Sequence, residues 1–162
     1  TLHCTIRPIK EEEIPLLCDF QYEAIFQRDE QNLIPRSVIE EPEVQIYYEG
    51  FGTMKDDLAL VAVDGEKVIG SVWTRILSGP IKGFGNIDPH TPEFAISLYQ
   101  KYRGRGIGTR LMREMLSLLR KRGYQKASLA VQKDNYALKM YRKAGFSISD
   151  ENDEEYIMVC PL

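Results

Sequence analysis

A glycine-rich stretch at residues 102–111 is the feature that most constrains the fold of this chain. It reads Tyr-Arg-Gly-Arg-Gly-Ile-Gly-Thr-Arg-Leu, follows an apolar run at residues 94–98 and opens an amphipathic pattern that predicts a helix to about Arg122. Glycine lets the backbone come close to a ligand, and the free N–H groups of a first helical turn attract an anion. The interleaved arginines add positive charge. The stretch therefore predicts a cradle for a phosphate or pyrophosphate between a strand and a helix.

The composition is typical of a globular protein and limits the classes of partner. The 162 residues are 43% hydrophobic and 28% charged, with a net charge of −3, so we expect one domain over residues 1–162 and no dedicated nucleic-acid binding. No apolar run approaches the roughly 18 residues of a membrane span, so we expect no membrane partner. Cys4, Cys18 and Cys160 are widely spaced and fit no metal-ligand template. We therefore expect inert thiols, a cytoplasmic location and no metal site.

The hydrophobic periodicity predicts a mixed α/β domain with the order β-α-α-β-β-β-α-β-α-β-β. The Asp64-Gly65 pair predicts a hairpin between the second and third strands. The acidic run at 150–155 predicts a solvated turn, and its alternative interpretation is an attraction for a cationic acceptor. The predicted strands lie at 5–9, 58–63, 67–75, 92–98, 127–131, 146–149 and 156–160, and the predicted helices at 11–27, 43–50, 107–122 and 135–144.

Two nucleotide-binding motifs are alternatives for the glycine stretch, and both fail on spacing. A dinucleotide fingerprint requires G-x-G-x-x-G and an acidic residue about 20 positions later, whereas this chain has G-x-G-x-G and no acid at 123–126. A P-loop requires lysine and then serine or threonine after its last glycine, but Gly108 is followed by Thr109. A tight turn with glycines only for packing does not account for the arginines between them.

A second segment strengthens the interpretation of the first. Residues 129–131 read Leu-Ala-Val, and residues 144–146 read Ala-Gly-Phe, with Asn135, Ala137 and Tyr141 between them. This segment is similar to the L-x-V…N…A…Y…GF motif of the GNAT superfamily of N-acyltransferases, and residues 103–108 resemble its R/Q-x-x-G-x-G/A signature. The likeness extends over essentially the whole chain. It implies a central twisted mixed sheet of about six or seven strands flanked by about four helices.

The resemblance implies that acetyl-CoA is the cosubstrate. In GNAT proteins it lies in a V-shaped opening between the strand before the glycine stretch and the next parallel strand. The backbone of Leu98 and Gln100 would then pair with the pantetheine arm. Gln100-Lys101 replaces the proline–acid pair of most members, which changes the approach to the loop but leaves its backbone intact. The pyrophosphate would be held by Arg103, Gly104, Arg105, Gly106, Ile107, Gly108 and Thr109.

The resemblance also implies direct attack of an amine on the thioester, with a base and an acid. Tyr141 matches the family tyrosine that protonates the CoA sulfur, and its alternative role is that of a core aromatic residue beside Leu138. Glu93 is the best candidate base, acting directly or through water, and its alternative role is that of a solvated acid at a strand end. Asn135 caps its helix in either interpretation and would also meet the CoA arm.

The acceptor is expected on the early helices, the third strand and the loop at 79–91. Trp73 and Arg75 alternate onto one face of their strand, and with Tyr47 and Phe84 they form the candidate acceptor-binding set. His90 lies in a proline-containing loop and is expected to be exposed and not catalytic.

We therefore expect acetyl transfer to a primary amine of a small molecule or of a protein N-terminus or lysine. The alternatives are a non-catalytic acyl-CoA binding or sensing module of the same fold and a nucleotide-dependent oxidoreductase. Because dimers are common among GNAT proteins, the resemblance is also compatible with a homodimer.

Overall fold

The computed structural model describes residues 3–162, and its centre is a seven-stranded sheet in the order β1-β2-β3-β4-β5-β7-β6. Neighbouring strands are antiparallel except β4 and β5, which run parallel. The strands are β1 (Cys4–Pro8), β2 (Leu58–Asp64), β3 (Lys67–Arg75), β4 (Glu93–Leu98), β5 (Lys126–Gln132), β6 (Ser147–Glu151) and β7 (Glu155–Pro161).

The helices lie between the strands in the predicted order. They are α1 (Leu16–Glu23), α2 (Pro42–Gln45), α3 (Ile107–Lys121) and α4 (Leu138–Ala144). Short 3-10 turns occupy Glu11–Glu13, Arg36–Glu40 and Gln100–Tyr102. The mixed α/β class, the order of elements and the hairpin between β2 and β3 are confirmed.

The two early helices are shorter than the sequence predicts. The helix expected at 11–27 is divided into a 3-10 turn and α1, because Pro15 stands at the N-cap of α1 and has no N–H to bond back to the preceding turn. The helix expected at 43–50 is confined to α2. Gly50 and Gly52 follow with φ of +63° and +97°, a backbone conformation that ends helices and favours turns.

The elements near the end of the chain are displaced by a few residues from their predicted positions. The last helix begins at Leu138 and not at Asn135, whose Oδ1 accepts the N–H of Ala137 at 2.8 Å and so orders the turn before the helix. The helix ends at Gly145 as predicted, with φ of +113°. The final strands extend into the acidic run, so only 152–154 form the turn.

The central helix α3 buries the stripe that the sequence predicts. Ile107, Leu111, Met115 and Leu119 are all buried in one cluster on its face of the sheet. Apolar residues at this helical spacing remove a continuous surface from water. The face of the sheet under α3 is therefore the larger core, and α4 packs at its edge through partly buried residues.

Strand β4 divides its side chains between two cores. Phe94 and Leu98 belong to the cluster under α3. Ala95 packs against the second cluster, where Phe20 of α1 and Trp73 of β3 are buried. Because successive side chains of a strand point to opposite faces, Glu93 faces the side of α1 and α2. This alternation decides which chemistry each face of the sheet can offer.

Candidate active site

The parallel strands β4 and β5 separate almost at once. Within residues 3–162 their pairing is limited to Glu93 and Ser128, and the N–H of Ser128 donates to the C=O of Pro92 at 3.0 Å. Backbone groups alternate between the two edges of a strand, so those of Ile96 and Leu98 face the same edge as Pro92. Beyond the single pair, this edge of β4 has no partner strand within the described residues. The opening is V-shaped, as the GNAT resemblance implies.

A cavity of about 430 Å³ fills this opening. Its volume lies in the range of small-molecule sites. Both faces of the sheet contribute, because the diverging strands leave a passage between them. It is lined by 93–96, 129–132, Gln21, 24–26, Arg28, Ile34, Val38, Val44, Tyr47, Phe84, Asn135, Tyr141, Glu154 and Glu155.

Glu93 is a buried acid at the point where the strands diverge. It is 2% exposed, so the alternative of a solvated acid at a strand end is wrong. Its Oε2 accepts the hydroxyl hydrogen of Tyr47 and, at 3.0 Å, the N–H of Gly85. Its Oε1 is buried and has no hydrogen-bond partner within residues 3–162. A carboxyl group in such a position is poorly solvated, which disfavours its charged form.

The surroundings of Glu93 place its pKa close to neutrality. Burial raises the pKa of Glu93 to about 7, and the negative charge of Glu155 acts in the same direction. The hydrogen bonds from Tyr47 and Gly85 lower the pKa and offset part of this effect. A general base works best when its pKa lies near the working pH. Glu93 therefore has the protonation behaviour that the removal of a proton from an amine requires.

Tyr141 lines the same cavity from α4. Its ring meets Phe146 edge-on at 6.4 Å between centroids, and within residues 3–162 its hydroxyl has no hydrogen-bond partner. Burial raises the pKa of Tyr141 to about 12. The hydroxyl therefore keeps its proton at neutral pH and holds it inside the cavity.

The glycine stretch forms an open turn at the start of α3. Gly104 and Gly106 have φ of +76° and +81°, and a Cβ at either position would meet no atom within 4 Å. Glycine suits both positions because of this left-handed backbone conformation, and the space beside the backbone is open. Gly106 is the N-cap of α3, so the first N–H groups of a 15-residue helix emerge here. This geometry fits an anion.

The arginines of this stretch do not share one role. Arg103 turns inward, where its Nε donates to Leu98 O at 3.1 Å and its Nη2 to Glu23 Oε2 at 3.1 Å. Arg105 is exposed and makes no hydrogen bond or ion pair within residues 3–162. Thr109 is partly buried in the first turn of α3. Arg110 donates to Cys4 O at 3.0 Å. Of the three arginines, only Arg105 has a guanidinium with no protein partner within residues 3–162.

Trp73 and Arg75 lie beneath the site and do not line the cavity. Trp73 is 1% exposed and donates its Nε1–H to the C=O of Tyr47 at 3.0 Å. Arg75 is 4% exposed, pairs with Asp57 at 2.9 Å and donates to Ile46 O at 3.0 Å. Both side chains therefore hold the end of α2 in place, and any contribution to acceptor binding is made through Tyr47.

Tyr47 and Phe84 do line the cavity, as the acceptor prediction requires. Their rings stack at 6.3 Å between centroids, and the N–H of Phe84 donates to the Tyr47 hydroxyl oxygen at 2.8 Å. Two further lining residues, Gln21 and Arg28, were not anticipated. Gln21 is a polar residue on the buried face of α1, which is a usable signal, whereas nothing in the sequence distinguishes Arg28. His90 is exposed, as expected.

The comparisons with known proteins identify the family. The model of the acetyltransferase (GNAT) family matches residues 22–146, about three quarters of the chain. The chain belongs to the GNAT acetyltransferase family. This finding confirms the resemblance drawn from the glycine stretch and the motif ending at Phe146.

Curated relatives of this GNAT chain include mycothiol acetyltransferases. The protein of Corynebacterium glutamicum (strain R) is 32% identical over 103 residues, which cover 60% of this chain and 31% of that relative. The protein of Corynebacterium aurimucosum is 32% identical over 81 residues, 49% of this chain and 25% of that relative. The matched segments thus span about a third or less of these longer proteins.

Solved structures agree with this GNAT chain along almost its whole length. The PaiA N-acetyltransferase of Thermoplasma acidophilum in complex with coenzyme A has a TM-score of 0.70 at 20% identity and covers 99% of this chain and 100% of its own. The ribosomal-protein-S18-alanine N-acetyltransferase of Escherichia coli has a TM-score of 0.65 at 16% identity, covering 98% and 94%. At these identities the likeness establishes the shared fold.

Within residues 3–162 no three histidine, cysteine, aspartate or glutamate side chains are grouped so as to hold a metal ion. None of the helices in this range is long and apolar enough to cross a membrane.

Proposed function

We propose that this GNAT protein is an acetyl-CoA-dependent N-acetyltransferase that acts on a primary amine. The observation that carries the proposal is Glu93, a buried acid with a pKa of about 7 at the apex of the opening between β4 and β5. A module that only binds an acyl-CoA has no use for such a group. The names of the mycothiol acetyltransferases and of the two structural neighbours describe the activities of those proteins. The acceptor of this chain must be inferred from its own cavity.

The chain offers a place for each part of acetyl-CoA. The turn at Gly104 and Gly106 and the first N–H groups of α3 would hold the pyrophosphate, with Arg105 and Thr109 beside them. The edge of β4 that has no partner strand, at Ile96 and Leu98, would pair with the pantetheine arm as an added strand. Gln100 lies in the following 3-10 turn, and Asn135 lines the cavity opposite. Acetyl-CoA supplies the acyl thioester that the amine attacks.

Glu93 and Tyr141 divide the proton transfers between them. An alkyl amine arrives protonated near neutral pH, and Glu93 accepts that proton, directly or through water, from the side of α1 and α2. The free amine then attacks the acyl carbon, the bond between that carbon and sulfur breaks, and the proton that the nitrogen loses on becoming an amide passes to water, from which Tyr141 is later reprotonated. Tyr141 donates its hydroxyl proton to the departing sulfur. Tyr141 begins the reaction protonated, as its raised pKa favours, whereas Glu93 must begin as the carboxylate, the form that prevails above its pKa of about 7.

Three further expectations belong to the proposal. The three cysteines are free thiols, which is consistent with a cytoplasmic location. We propose one acetyltransferase domain over residues 1–162, with an amine of a small molecule or protein as its partner and no nucleic acid or membrane required. Size-exclusion chromatography with light scattering would decide between a monomer and the homodimer that GNAT membership allows.

One plate of thermal-shift measurements tests the proposal first. Acetyl-CoA and CoA should raise the melting temperature, whereas NADH and ATP should not, because the glycine spacing suits neither nucleotide motif. A panel of primary amines with detection of the released thiol then tests turnover. Stabilisation by CoA without turnover on any amine would favour the non-catalytic acyl-CoA module, and no stabilisation by either CoA species would refute both.

A further inference from the structure

The part of the cavity on the side of α1 and α2 is dominated by carboxylates. Glu93, Glu154 and Glu155 line it, and none of the three forms an ion pair within residues 3–162. Glu155 pairs with Gln132 of β5 in the sheet register, which places it beside the opening. Burial raises the pKa of Glu155 above its ordinary value, with Glu154 acting in the same direction. Within residues 3–162, Glu93 and Glu155 have no ion-paired cation, and Glu154 has only the charge of Arg28, which lies beyond ion-pair distance and is already bound to Asp134.

The single cationic side chain among the lining residues is already engaged. Arg28 binds Asp134 through two nitrogens, at 2.7 and 2.9 Å, and Gln132 Oε1 at 2.7 Å. Its charge is therefore balanced by Asp134. An acceptor with a carboxylate or phosphate would find no free positive group here and would face the three acids instead.

An independent observation indicates that a polar ligand belongs in this part of the cavity. Gln21 lines it from α1, is 7% exposed, and has a buried Oε1 with no hydrogen-bond partner within residues 3–162. Buried polar atoms are normally hydrogen-bonded, so unpartnered ones at a cavity wall suggest a partner supplied by a ligand.

We propose that this part of the cavity selects acceptor amines by charge, and that Glu155 is the residue that discriminates. It favours an amine that carries a second cationic group and excludes an amine that carries a carboxylate. The inference rests on the proposed function only in taking the ligand to be the acceptor. The second ammonium group supplies the counter-charge that Glu154 and Glu155 lack, while Glu93 remains free to take the proton of the reacting amine.

Three probes with the same five-carbon chain isolate the charge. Pentylamine, 1,5-diaminopentane and 5-aminopentanoate share the reacting amine and differ in the group at the far end. Their binding is measured by calorimetry at pH 8 on protein saturated with CoA. We expect the diamine to bind about tenfold more tightly than pentylamine, and 5-aminopentanoate to bind more weakly than either. Equal affinities of the diamine and 5-aminopentanoate would overturn the proposal.

A matched pair of variants assigns the effect to one residue. Glu155→Gln should bring the three affinities together, whereas Glu151→Gln, which removes the same charge from the same hairpin outside the cavity lining, should preserve their order. A preference that survives Glu155→Gln, or that both variants abolish equally, refutes the assignment to Glu155. The wild-type order alone remains a test if Glu155→Gln does not fold.

Turnover separates this inference from the proposed function. A charge preference in binding without acetyl transfer to any amine supports the inference and counts against the proposed function. Acetyl transfer at similar kcat/KM to all three probes supports the proposed function and overturns the inference.

Discussion

Tyr47 and Glu93 share one hydrogen bond, and it connects the candidate base to the aromatic pair of Tyr47 and Phe84 on the expected acceptor side of the cavity. The Tyr47 hydroxyl donates to Glu93 Oε2 and accepts the N–H of Phe84 at 2.8 Å. Trp73 fixes the backbone of Tyr47 from below. The position of the carboxyl group is thus determined by α2, β3 and the loop at 83–85 together.

Replacing Tyr47 by phenylalanine should alter the pH dependence of the reaction. The hydrogen bond from Tyr47 lowers the pKa of Glu93, so its loss should move the acid limb of kcat/KM to higher pH and reduce activity at pH 7. The unpaired Phe84 N–H should cost about 1–3 kcal/mol of unfolding free energy. A full pH–rate profile and urea unfolding measure the two effects.

Tyr48→Phe is the matched control for this change. The adjacent hydroxyl donates to Ile39 O at 2.9 Å and does not contact Glu93. Its removal should lower stability by about 1 kcal/mol while leaving the acid limb in place. An equal displacement of the limb in both variants would show that the Tyr47 bond does not set the pKa of Glu93.

Replacing Glu93 by glutamine should remove the proposed base while keeping the size and shape of the side chain. We expect kcat to fall by about 10²- to 10⁴-fold. Acetyl-CoA binding should be retained, because the turn at Gly104 and Gly106, which we call the anion turn, does not contain Glu93. The rise of kcat/KM through pH 7 should disappear with the carboxyl group. Unchanged turnover in Glu93→Gln would mean that water or another group takes the proton.

The same variant should change how stability depends on pH. The pKa of Glu93 is raised from 4.5 to about 7 in the folded state, so the protonated acid stabilises the fold fully below pH 4.5, and this contribution is lost as the pH rises through 7. Between these values the wild type should lose up to about 3 kcal/mol relative to Glu93→Gln. Parallel stability curves for the two proteins would contradict the raised pKa.

Replacing Tyr141 by phenylalanine should slow the chemical step and spare binding. Without the proton that Tyr141 donates, kcat should fall by about 10²-fold or more, with little change in the affinity for CoA. Tyr136→Phe is the control, because that ring is 75% exposed and lies outside the cavity lining. A loss confined to CoA affinity would instead give Tyr141 a role in binding alone.

The glycines of the anion turn should differ in their tolerance of alanine. Gly106→Ala forces a Cβ onto a backbone at φ +81°, which should cost about 1–2 kcal/mol and weaken CoA binding by displacing the turn. Gly108 lies within α3, and a Cβ there would meet only the end of the Met140 side chain, Sδ at 3.4 Å and Cε at 3.9 Å. Gly108→Ala should therefore be neutral or stabilising by up to about 1 kcal/mol. Calorimetric Kd values for CoA and urea unfolding compare the two.

The sequence predicts the order of elements well because local signals determine it. The apolar stripe of α3, the Asp64-Gly65 hairpin and the stop at Gly145 are each read from adjacent residues, and each is confirmed. The sequence predicts too long a first helix, because the apolar pattern continues across Pro15. The anion turn is visible from its glycines, since their conformational freedom is itself a local property.

The acceptor side is less predictable because long-range contacts determine it. Whether Glu93 is solvated or buried depends on Tyr47 and Gly85, which come from other elements. Trp73 and Arg75 share a face of β3 as predicted, but only the packing of α2 above them shows that they support Tyr47. Arg28 reaches Asp134 across 106 positions of sequence, a contact that no local pattern indicates.

The single pair between Glu93 and Ser128 also has a consequence for the lifetime of the protein. Among residues 3–162 it leaves β1–β4 and β5–β7 as two half-sheets that one parallel bridge joins. A bound pantetheine arm would add the missing backbone partners along β4. At a cosubstrate concentration 100 times its Kd, binding adds about 2.7 kcal/mol to the unfolding free energy. Depletion of CoA and acetyl-CoA together would remove this stabilisation and make the chain more susceptible to proteolysis.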